Sequence, residues 1–121
     1  MERRVSTPTI ISATSLRGTP VVNPQSESLG EIKEIMLDAR TAQIAYVVLS
    51  FGGFLGMGDK LFAFPWEVFQ MDPNNEQLVL DVAKEKLENA PGFDKDHWPS
   101  DADSEWVSRV YSYYDVPPYW D

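Results

Sequence analysis

Gly52, Gly53, Gly56 and Gly58, followed by Lys60, are the first residues whose spacing suggests chemistry. Glycine amides cradle phosphate when they open a helix, with the helix dipole behind them. Here Lys60 leads instead into the apolar residues 61–64, which read as a strand, so the glycines read as a flexible strand connection. Asp94, Asp96 and Glu105 repeat part of the acid spacing of a calcium loop. Trp98 and Pro99, however, stand where that loop needs an oxygen ligand and a turning glycine. His97 is the single imidazole, and no motif supplies the partner that a general base requires. Glu67 and Asp59 form a carboxylate pair only if the fold brings them together. No serine sits in a nucleophile-elbow sequence. The absence of cysteine excludes disulfides, thiolate chemistry, iron–sulfur clusters and cysteine-ligated zinc. These residues assign no catalytic, cofactor-binding or metal site, and the expectation is a protein that is not an enzyme.

The elements that would position any site must fit in 121 residues, the size of one domain. The net charge of −9 is uneven. Residues 1–60 hold six basic and six acidic side chains, whereas residues 61–121 hold four basic and thirteen acidic ones. Such a surface repels polyphosphate and anionic membranes, so neither nucleic-acid binding nor direct membrane insertion is expected. A basic protein partner would be attracted. No signal peptide is legible in residues 5–18, and the most apolar stretch, 44–57, is too short to cross a bilayer. A cytoplasmic protein is the expectation.

Residues 1–8 read as a flexible arm, and residues 10–18 as a short strand and a helical turn stopped by Gly18. A strand over 19–23 and a polar loop over 24–29 follow. Residues 30–38 mix apolar and charged side chains as a half-exposed strand does, yet Ile32 and Ile35 are out of step. Burying Ile32, Ile35 and Leu37 together requires an extra residue, a β-bulge, near Lys33 and Glu34. Bulges bend strands, and bent strands form barrels. Asp38 is placed to accept amide bonds in the hairpin turn over 38–43. Residues 43–51 are apolar on both faces, with Ile44, Tyr46 and Val48 on one and Ala45, Val47, Leu49 and Phe51 on the other. One face belongs inside a barrel, so a tail, a helix or another subunit must cover the other. Strands over 61–64, 68–71 and 77–82, a turn at 65–67 and a short helix over 83–89 complete a mainly β pattern.

From residue 91 the composition changes. Eight of the fifteen aromatic residues lie beyond Gly92, in an acidic context. Ser100 is placed to cap a helix near 101–114, with Asp101, Asp103 and Glu105 in its first turn. Trp106, Val107, Val110, Tyr111 and Tyr114 form one apolar stripe at helical spacing, and Pro117 and Pro118 end it. This stripe should lie on the barrel or on a second chain.

The run from Gly30-Glu31-Ile32 through Asp38, residues 44–50, Gly52-Gly53, the glycine loop to Lys60, and Phe64-Pro65-Trp66 resembles the PRC-barrel family. The resemblance covers about residues 10–85 and implies a small, strongly bent, partly open β-barrel without catalytic residues. Related barrels form the cytoplasmic domain of the photosynthetic reaction-centre H subunit and the C-terminal domain of a ribosome-maturation factor. Members of the family mostly bind other proteins, and an accessory role beside a photosynthetic complex is a further implication. Family hairpins usually carry glycine where Ala42 stands, and alanine there costs about 1 kcal/mol if the site needs positive φ.

The expected organisation is thus an arm over 1–8, a barrel domain over 9–90 and an acidic aromatic extension over 91–121. The expected function is protein–protein contact, as a homodimer or an adaptor. Tyr46, Phe54, Leu55, Trp106, Tyr111, Tyr119 and Trp120 are the candidate contact residues, since exposed aromatics concentrate at interfaces. A small apolar ligand at a barrel mouth near Phe54, Met57 and Trp66 is the alternative, and a carboxylate hydrolase with a divalent metal a third. Trp66 itself reads as a barrel plug.

Overall fold

The computed structural model describes residues 10–50, 60–72, 75–82, 84–87, 89–94, 98–99 and 104–120. Its strands, in chain order, are β1 (Pro20–Val22), β2 (Ser28–Asp38), β3 (Gln43–Ser50), β4 (Lys60–Phe64), β5 (Phe69–Asp72), β6 (Gln77–Leu80) and β7 (Gly92–Asp94). The helices are α1 (Ala13–Leu16), α2 (Lys84–Leu87) and α3 (Ser104–Tyr113), and a 3₁₀ turn, Trp66–Val68, joins β4 to β5. All seven strands share one sheet in the order β5-β6-β1-β2-β3-β4-β7, antiparallel except for β1 against β6. The edges β5 and β7 do not pair. The sheet nevertheless curls until Phe64 of β4 meets Phe69 of β5, ring centroids 5.9 Å apart, although four strands lie between theirs. The fold is the mainly β, strongly bent and partly open barrel expected, with a helix near its C-terminal end.

Two bulges bend the β2–β3 ladder, and a further register shift, at Leu29, lies where β2 meets β1. Ile32 faces Leu49 but Glu34 faces Val48, so Lys33 is the extra residue on β2, where the odd spacing places it. The second bulge is on β3. Met36 faces Tyr46 and Leu37 faces Ile44, which leaves Ala45 without a cross-strand partner. This corrects the two-face reading of residues 43–51. Ile44 packs with Val47 and Leu49 on the inner side, while Ala45, Tyr46 and Val48 share the outer side. Leu37 is also corrected: it keeps step with Ile35 but is 59% exposed, because it lies next to the hairpin turn at the rim of the sheet. Among the described residues no strand precedes α1, since Ile10 and Ile11 are exposed and outside the ladder. Gly18 ends that helix at φ +84° as expected.

The turns are closed by side chains. Asn23, a buried polar residue, accepts the Gln25 and Glu27 amides on Oδ1 and donates from Nδ2 to Glu27. In the β2–β3 hairpin the Asp38 carbonyl accepts the Thr41 and Ala42 amides, and its Oδ1 accepts the Arg40 amide. Ala42 does sit at φ +64°, the conformation that glycine adopts without strain. At β7, Gly92 allows a close approach, because a Cβ there would meet the Leu61 carbonyl oxygen at 2.8 Å.

Two apolar layers flank β3 and β4. The inner one joins Val21, Leu29, Ile32, Val47, Leu49, Phe62, Phe64, Phe69, Leu78, Leu80, Leu87 and Tyr114. The outer one joins Ala45, Tyr46, Val48, Leu61, Ala63 and Phe93 to Trp106, Val110 and Tyr111 of α3. The chain itself thus covers the outer face of β3. At about 1.5–3 kcal/mol for each large apolar side chain fully buried, the second layer is a substantial part of the core.

Candidate functional site

Helix α3 exists because its apolar residues recur at 106, 107, 110 and 111, so that one stripe meets the sheet while Ser104, Glu105, Ser108 and Arg109 face water. Its end is set by backbone bonds. The Val116 amide donates to the Tyr111 carbonyl at 3.0 Å, and the Asp115 amide to the Ser112 carbonyl at 3.2 Å. This is a Schellman motif with Asp115, at φ +57°, in the position usually held by glycine. The turn redirects the chain so that residues 117–120 run back along the helix.

That return path builds an aromatic face. Trp106 packs edge-on against Tyr46 at 5.0 Å and against Phe93 at 5.8 Å, and Phe93 in turn meets Trp98 at 4.9 Å. Tyr111 donates its hydroxyl proton to the Ala45 carbonyl at 2.7 Å. Trp120 stands edge-on to Tyr111 at 5.1 Å and to Tyr119 at 5.0 Å. The Tyr119 hydroxyl donates to Asp38 Oδ2 at 2.7 Å, tying the tail to the β2–β3 hairpin. Trp98 and Trp120 remain 41% and 37% exposed.

Asp38 is the electrostatic centre of the tie. Arg40 donates to it from Nε at 3.3 Å and from a terminal nitrogen at 3.1 Å. Hydrogen bonds from Arg40 and then from Tyr119 hold its carboxyl down at about 2. Tyr119 is pushed up to about 12, first by burial and then by its bond to Asp38. Burial raises Tyr111 and Tyr114 as well. The buried Tyr114 hydroxyl has no hydrogen-bond partner among the described residues. All of these shifts belong to packing and to the tail, and none forms an acid–base pair beside a cleft.

A model of the PRC-barrel domain matches residues 8–87. The chain belongs to the PRC-barrel domain family. Comparison with curated proteins gave no match. The matched PRC-barrel stretch stops at Leu87, so β7, α3 and the tail lie beyond it. Within the PRC-barrel fold the seven candidate contact residues separate into three groups. Tyr46, Trp106 and Tyr111 are buried in this chain's outer layer. Tyr119 is half-buried and Trp120 exposed, together at the tail. Phe54 and Leu55 lie outside the described residues, as do the glycine loop, Asp59, His97 and the Ser100 cap.

Trp66 is half-buried against the inner layer, and Glu67 beside it is exposed. Among the described residues no three His, Asp or Glu side chains come together as metal ligands. No helix among them is long and apolar enough to cross a membrane. Asp38 as the tail's anchor was absent from the sequence expectations. Its hairpin role marked it as an acceptor, but its partner lies 81 residues away.

Proposed function

We propose that this PRC-barrel protein is a non-catalytic cytoplasmic contact module that self-associates through its tail face. The reading rests on Trp120, an exposed indole held edge-on by two tyrosine rings at 5.0 and 5.1 Å. A large aromatic group fixed in place before contact loses little freedom on binding, which is how interface anchors work. In a twofold dimer the same patch meets itself, so one such anchor serves both copies.

Sedimentation equilibrium of the full chain and of Trp120→Ala tests this. The parent should associate and the variant should remain monomeric. Two chains of charge −9 repel, so raising salt from about 20 to about 300 mM should strengthen the dimer. Contact with a basic protein would instead weaken. A parent chain that stays monomeric at every salt and concentration would remove the homodimer reading.

A further inference from the structure

We propose that the cleft between α3 and residues 89–92 binds an acidic peptide segment, taking a carboxylate at its rim and an adjacent apolar side chain against its wall. The cleft is open to solvent and has a volume of about 550 Å³, within the roughly 300–1,000 Å³ common for ligand sites. Trp106 and Tyr113 supply its aromatic wall, and Arg109, Ser112 and Asn89 its polar rim. Charge selects the occupant. Eight of the thirteen acids in the second half of the chain are among the described residues, and none of those eight lines this cleft.

Arg109 is exposed on α3 and makes no ion pair or hydrogen bond among the described residues, with Glu105 one turn away left unpaired to it. Its guanidinium is therefore available for the two-pronged bond that a carboxylate accepts. Lys86 does not line the cleft but braces its wall. Lys86 Nζ lies 5.1 Å from the centre of the Tyr113 ring, whose hydroxyl donates to the Lys86 carbonyl at 2.5 Å. The Tyr113 ring is thereby held in place as a wall. A rim of one cation and two neutral donors, with no described carboxylate, favours a negatively charged ligand. The aromatic wall asks that ligand for an apolar neighbour. This site is separate from Trp120, and either proposal can fail alone.

Chemical-shift titration of the full chain with acetyl-phenylalanyl-glutamate amide, its glutamine counterpart and free phenylpropionate tests the inference. The glutamate peptide should move the Trp106 indole and Arg109 Nε–H signals saturably, about tenfold more tightly than the glutamine peptide. Arg109→Gln, an exposed change, should cost about tenfold. Equal affinity for the two peptides, indifference to Arg109→Gln, or no saturation would overturn the site. Phenylpropionate binding as tightly as the peptide would overturn the peptide assignment.

Discussion

The Tyr111 hydroxyl donates at 2.7 Å to the carbonyl of Ala45, the residue that the β2–β3 ladder leaves without a cross-strand partner. The bulge and the helix thus satisfy each other across 66 residues of sequence. Tyr111→Phe should destabilise the fold by about 1–2 kcal/mol, because a buried carbonyl loses its donor. Tyr114→Phe should be neutral or stabilising by up to about 1 kcal/mol, since its hydroxyl is buried without a partner. Urea unfolding of the two variants measures the contrast, and equal losses would contradict it.

Ala42 and Asp115 both hold backbone conformations that suit glycine, at φ +64° and +57°. Ala42→Gly should stabilise by about 0.5–1 kcal/mol, the relief of strain exceeding the added freedom of the unfolded chain. Asp115→Gly should act in the same direction at the end of α3. A fall in melting temperature for Ala42→Gly would show that the turn changes type on substitution.

Acid should release the tail. The Asp38 carboxyl sits at about 2 in the fold against an ordinary 3.8, so the folded chain takes up this proton only at lower pH than the unfolded chain does. The stabilisation is therefore complete above about pH 4 and fades as pH falls towards about 2. Side-chain signals of Tyr119 and Trp120 should shift over that window, and Asp38→Asn should abolish the shift. Tyr119 acts at the other end: with its hydroxyl raised to about 12, its contribution holds below about pH 10 and is lost above it. Tail signals that stay constant from pH 5 to pH 2 would rule out the Asp38 anchor.

The four tryptophans should divide by burial. Trp106, 8% exposed between Tyr46 and Phe93, should cost about 3–5 kcal/mol when replaced by alanine. Trp120→Ala should cost less than about 1 kcal/mol while removing self-association. Thermal melts paired with sedimentation separate the two effects. A Trp120→Ala variant that melts as early as Trp106→Ala would make the tail structural instead.

Much of this architecture is legible from residue order, and the misses share a physical cause. The Lys33 bulge can be read because Ile32 and Ile35 break an otherwise clear alternation. The Ala45 bulge cannot, because β3 is apolar on both faces and a slip leaves no polar residue out of place. The stripe of α3 is legible from its spacing, as is its need to cover β3. Strand β7 is not, being three residues long with Phe93 its one buried side chain. The Tyr119–Asp38 contact escapes because nothing local links a tail to a hairpin. Tyr46, Trp106 and Tyr111 are aromatic in the way interface residues are, and composition alone does not separate that role from the covered layer they form here.

The paired bulges also bear on how related chains can vary in length. Lys33 on one strand and Ala45 on the other offset each other, so the hairpin starts and finishes in the same phase. Deleting either residue alone would turn the remaining side chains of a strand inside out. Deleting both would keep the phase and flatten the curve. Homologues that tolerate gaps here should therefore lose or keep the two positions together.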